Sequence, residues 1–219
     1  MTLFSTLIIV FASAVAFFSG LTKILKHKGV ALYYQLIVAA AGCLMLGKVY
    51  ELTNIIIIGE LPNTFHIGYL GAIACFLFLL SANYGQIDSL IDTRGSELRK
   101  YRVISMIAPV LLIIMGIFAI QHIELLEIKI ITIVTILPIV FAARLSLKHI
   151  IIPDPGDGFI KAIRPTNIIV LLLEILYVVQ INVLALNMEM IVVIISSVMA
   201  VLIICMVVFA ERGTKQWII

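Results

Sequence analysis

Three polar residues follow one another at steps of three in the stretch 167–186, NIIVLLLEILYVVQINVLAL. On a helix Glu174, Tyr177 and Gln180 therefore lie next to one another. The stretch is long and apolar enough to cross a bilayer, and Glu174 is the only carboxylate well inside such a stretch. At about 1.5 Å of rise per residue it sits about 10 Å in from Asn167. A charge at that depth costs about 3 kcal/mol on insertion scales. The chemistry open to it is proton or cation binding, or a hydrogen-bonded lock between helices. Ser196 and Ser197, central in the next apolar stretch, and Ser81 and Asn83, at the end of an earlier one, belong to the same candidate core.

Two further groups carry chemistry. Lys48, Glu51, Glu60, His66, Tyr69, His122, Glu124 and Glu127 fall at the expected outer ends of apolar stretches. Converging helices would make them the rim of a pocket for a polar or cationic small ligand; an ordinary solvated rim is the competing expectation. Histidine titrates near neutrality, but His66 and His122 lack metal-ligand spacing, and no metal is expected. At the expected inner side stand Asp88, Asp92, Arg94, Arg99 and Arg102, with Asp154, Asp157 and Arg164. Paired carboxylates can hold Mg²⁺, yet nearby arginines and lysines neutralise them more simply. A solvated loop or a docking surface for a partner is the expectation.

Several chemistries lack their parts. Cys43, Cys75 and Cys205 are an odd number inside apolar runs, without metal spacing, and read as small buried hydrophobes. No lysine lies mid-membrane to carry a retinal Schiff base, and no histidine lies at the depth of Ser196 or Ser197 to act as their base. No cofactor is expected.

The elements that hold these residues follow from composition. Of 219 residues, 63% are hydrophobic and 12% charged, with mean hydropathy +1.23. A soluble domain is about half apolar and a quarter charged. The chain reads as all-α, a single polytopic integral membrane domain. Seven stretches at about 3–20, 30–50, 64–84, 103–120, 128–143, 167–186 and 190–210 are the expected helices. No basic residue precedes the first, and Lys23, Lys26 and Lys28 follow it, so it reads as a helix rather than a cleaved signal.

Charge gives the orientation. With the N-terminus outside, the inner connections hold Lys23, Lys26, Lys28, Arg94, Arg99, Lys100, Arg102, Arg144, Lys148, Lys161, Arg164, Arg212 and Lys215. These are 13 of the 15 basic residues; Lys48 and Lys129 fall outside. This is the positive-inside pattern of a multi-pass protein of the cell membrane, with its C-terminus cytoplasmic. No basic run with interleaved aromatics points to nucleic acid. Two small-residue stripes, Ala39-Cys43-Gly47 and Gly68-Ala72-Cys75, predict close helix packing. Pro109 and Pro138 stand inside the fourth and fifth stretches. They do not fall at matching places in two halves, as an inverted-repeat transporter would have them.

Residues 31–102 contain an apolar helix ending LGKVYELTN (46–54), a short link, then FHIGYLGAIACFLFLLSANYG (65–85) and a polar segment. This resembles the seven-helix membrane sensor region of bacterial histidine kinases and related signalling proteins. The resemblance implies a stand-alone sensor acting through a partner, since no kinase follows; no ligand residues carry over. The first expectation is therefore a sensor or receptor-like protein passing a small-ligand or membrane signal to a cytoplasmic or membrane partner. The second is a small-solute or ion transporter centred on Glu174. The third is a membrane lipid-modifying enzyme using the inner aspartates. In each case Glu174 is expected to meet Ser81, Asn83 and Ser105, or the serines of the seventh helix.

Overall fold

The computed structural model describes residues 2–215 apart from 28, 61–63, 85–86, 89–91, 93–94 and 155–157. The long elements are α1 (Thr2–Lys26), α2 (Leu32–Ile58), α3 (Ile67–Asn83), α5 (Ile107–His122), α6 (Leu126–Ile151), α7 (Phe159–Ala185) and α8 (Glu189–Lys215). A 3₁₀ turn (Ser96–Leu98) and the short α4 (Arg99–Ile104) lead into α5. Among the described residues six helical runs are long and apolar enough to cross a membrane: α1, α2, Ser96–His122, α6, α7 and α8. The seventeen residues of α3 stand at the short limit for a span. In hydrocarbon a helix satisfies its own backbone polar groups, so an apolar chain of this kind folds as helices.

The helices outrun the apolar stretches that announce them. α2 continues through Ile58, where Gly59 adopts φ 91° and its N–H reaches Ile55 O. The expected connection from residue 52 is thus largely the last turns of α2. α6 runs on past residue 143 to Ile151, through Arg144, Lys148 and His149. α7 begins at Phe159 and carries Pro165 inside it, so Lys161 and Arg164, expected in a connection, stand in the first turns of a long helix. Pro109 is the third residue of α5, where its missing N–H would have no helical acceptor anyway.

Helices α2, α3, α6, α7 and α8 pack side by side and close a ring. α1 lies in the seam between α2 and α8, and α5 in the seam between α6 and α7. The α2–α3 seam is the tightest. A Cβ on Gly71 would stand 2.5 Å from Gly47 Cα, so the two backbones touch; small residues permit this approach between membrane helices. The lipid-facing surface is apolar, with Val110, Leu111, Ile114 and Phe118 of α5 all exposed.

The candidate functional site

Glu174 lies inside the ring with 0% of its surface exposed. Neither carboxyl oxygen has a hydrogen-bond partner in the protein. Its polar neighbours are Ser146 of α6 and Cys75 of α3. The Ser146 hydroxyl also closes no hydrogen bond. Two helical turns before Glu174, on the same face of α7, Asn167 is fully buried, and its amide oxygen and nitrogen are both unpartnered. An unpaired buried polar group costs about 1–3 kcal/mol. Glu174 and Ser146 thus form a polar pair between α7 and α6, with Asn167 two turns away along α7.

Toward one end of the bundle, Ser146 is followed along α6 by Lys148 and His149, both buried. His149 places Nδ1 3.2 Å from Asn83 Oδ1 at the end of α3, and Nε2 3.2 Å from Asp88 Oδ1. Lys148 Nζ pairs with the same Asp88 oxygen and lies 3.2 Å from Asp92 Oδ2. Arg102 Nε stands 3.7 Å from Asp92 Oδ2, while Arg102 Nη2 donates to Gly95 O. Lys148 and His149 occupy the last turn of α6, where the helix dipole favours positive charge. Burial works against the Asp88 charge, but hydrogen bonds from His149 and Lys148 and the Lys148 charge outweigh it. Its carboxyl is held below the ordinary aspartate value.

At the opposite end, Lys48 Nζ donates to Glu51 Oε2 at 2.7 Å. His66 stacks between Tyr50 and Tyr69, with ring centroids 5.9 and 4.3 Å away. Burial and, more weakly, Lys48 lower the basicity of His66, with Glu51 opposing them. Gly68 makes this packing possible: a Cβ there would lie 2.8 Å from both the Glu51 side chain and the His66 ring. Tyr177 links this cluster to the centre. It packs edge-on against Phe76 at 4.9 Å, within electrostatic reach of Glu51, Tyr69 and Cys75. Buried and half-buried polar groups thus follow one another as Glu51, Tyr69, Tyr177, Cys75, Glu174, Ser146 and His149.

The residues singled out in the sequence divide accordingly. Lys48, Glu51, His66 and Tyr69 are together. His122 is not with them; it is exposed at the end of α5 and its Nδ1 is bonded to Phe118 O at 2.9 Å. Gln180 Nε2 donates to Ser196 Oγ at 2.8 Å and joins α7 to α8. Ser197 is exposed and bonds its own helix at Val193 O. Of the partners expected for Glu174, Ser81 is exposed and Ser105 donates to Arg102 O within its own turn. Asp88, Asp92 and Arg102 are not a solvated surface but one ion-paired cluster, while Arg99 is exposed. Arg164 donates to Ile152 O at 2.9 Å, just beyond the end of α6. Asp154 stands in the connection after α6, and Arg94 and Asp157 lie outside the described residues.

Ser146, Lys148, His149 and Asn167 were missed. The signal for two of them was periodicity: Ile139, Ala142, Ala143, Ser146 and His149 continue one helix face past Arg144, and all are fully buried. Among the described residues no three histidine, cysteine or acidic side chains are placed to hold a metal ion.

Fold and site define a class, a multi-span helical membrane protein with titratable groups buried through its bundle. Comparison with protein-family models, with curated proteins and with solved structures finds no match to this chain.

Proposed function

We propose that the protein spans the cell membrane seven times and transports a proton or small cation, with Glu174 as the mid-membrane binding group. The observation that carries this reading is the position of Glu174. It is a fully buried carboxyl without a protein hydrogen-bond partner, set between ion-paired clusters at opposite ends of one bundle. Intramembrane carboxylates mark ion pathways and proton relays. The distribution of basic residues supports a cytoplasmic position for the Asp88 cluster and an external one for the Glu51 cluster. A cation entering from outside would then meet Glu51 and Tyr69 before Glu174, and leave past Ser146, His149 and Asp88.

The test is flux in proteoliposomes carrying an internal pH dye, with proton, sodium or potassium gradients imposed. Wild-type protein conducts, Glu174→Gln does not, and Glu174→Asp retains part of the rate. Equal flux in Glu174→Gln removes Glu174 from the mechanism.

A second reading, the sensor, is favoured by the resemblance of residues 31–102 and by one contact. The segment after α3 is docked on the end of α6 through Asp88, Lys148 and His149, so a movement of α6 would reposition it. This reading predicts no flux with any of the three cations, and a signalling partner recovered with the wild-type chain but lost on altering Arg99 or Arg102. The enzyme reading is weakened, because Lys148, His149 and Arg102 already occupy the carboxylates that a Mg²⁺ ion would need.

A further inference from the structure

The seam between α5 and α6 is incompletely filled. An apolar cavity of about 430 Å³ runs along it, lined by residues including Pro109, Gly116, Ile133 and Phe141. It ends at Met106 and Arg144. The same two residues belong to a second cavity of about 350 Å³, whose other walls include Ser96, Arg99 and Arg102. The two spaces therefore adjoin at Met106 and Arg144: an apolar trough beside a pocket lined by three arginines. Arg144 Nε is buried and has no hydrogen-bond partner. Gly116 sets the depth of the trough, since a Cβ there would lie 3.0 Å from the Ile136 side chain.

The geometry points to a binding site for one anionic phospholipid, its acyl chain along the α5–α6 trough and its phosphate on Arg144 and Arg99. The volumes are those of ordinary ligand pockets. Guanidinium is the side chain suited to bidentate phosphate binding, and basic pockets between membrane helices on the cytoplasmic side take anionic headgroups. A zwitterionic lipid would fit the trough equally well but would bring its own cation to the three arginines. The preference for negative charge is thus the content of the proposal. Arg102, already near Asp92, would contribute field rather than a full ion pair.

Native mass spectrometry of delipidated protein tests this, titrated with phosphatidylglycerol or phosphatidylcholine of identical acyl chains. Wild-type protein retains one phosphatidylglycerol in preference to phosphatidylcholine. Arg144→Gln lowers phosphatidylglycerol retention about tenfold, the effect of losing a charge-assisted hydrogen bond, and leaves phosphatidylcholine unchanged. Gly116→Leu fills the trough and lowers both. Equal retention of the two lipids by wild-type protein overturns the proposal, as does full phosphatidylglycerol retention by Arg144→Gln. Should Arg144→Gln fail to fold, Arg99→Gln takes its place, Arg99 being exposed; the wild-type comparison is decisive in any case.

Discussion

Asn83 Oδ1 lies 3.2 Å from His149 Nδ1, joining the end of α3 to the last turn of α6. The other ring nitrogen faces Asp88 Oδ1 at the same distance. Facing oxygens on both sides suit an imidazolium, whose two N–H groups both donate. A half-turn of the Asn83 amide would instead offer Nδ2, which is buried and unpartnered, to a neutral ring protonated on Nε2. Asn83 can therefore serve His149 in either charge state, with Asp88, Lys148 and Asp92 as the surrounding charges.

Asn83→Leu keeps the volume and removes that adaptable partner. His149 Nδ1 is then buried without a hydrogen bond, and the fold loses about 1–3 kcal/mol. Denaturant unfolding in detergent measures the loss; a change within error would mean that water or another side chain replaces the amide.

Lys148→Met leaves Asp88 and Asp92 facing each other without their shared cation. Breaking a buried ion pair from one side costs about 3–5 kcal/mol. Asp92→Asn in the same chain should recover much of that loss. A double variant no more stable than Lys148→Met would show that Lys148 acts on its own.

Acid should weaken the same end of the bundle. The Asp88 carboxyl is held below its ordinary value in the folded protein, so its stabilising contribution is complete above the unfolded-chain aspartate value. It is lost as pH falls through the lower, folded value. The stability difference between wild-type protein and Asp88→Asn should shrink over that acidic window and be constant above it. A difference independent of pH throughout would mean that the Asp88 charge contributes nothing to folding.

Gly71→Val tests the α2–α3 seam. The added Cβ starts 2.5 Å from Gly47 Cα, a backbone atom that cannot swing aside. Overpacking of this kind costs about 1–3 kcal/mol, and the loss should reappear as a lower melting temperature in detergent. Gly29 has open space around it but a φ of 83°, so Gly29→Asn, a residue that tolerates the left-handed region, should melt as wild-type protein does.

Much of the fold was legible because apolar runs announce themselves, and all seven long helices lie where such runs were marked. Their ends were not legible. A run stops at its first charge, whereas a helix continues as long as its face is buried. Arg144 ended the fifth stretch in the sequence, yet α6 carries Ser146, Lys148 and His149 beyond it on covered positions. That misplacement hid the partners of Asp88 and Asp92. Glu174 was found easily, since a lone carboxylate in an apolar run is conspicuous. Its neighbours were not, because which helix lies beside α7 depends on ring order, and ring order leaves no mark on periodicity. His122 illustrates the same limit: it shares a residue type and an expected depth with His66, but α5 lies outside the ring.

The pairing of Lys23 with Glu211 spans 188 positions of the chain. Before α8 is inserted, α1 has no neighbour on that side, and Ser5, Thr6 and Ser13, buried in the finished bundle, have less cover against lipid. The contact of α2 with α8 that closes the ring likewise forms only once α8 is in place. Closure of the bundle is therefore its last packing step.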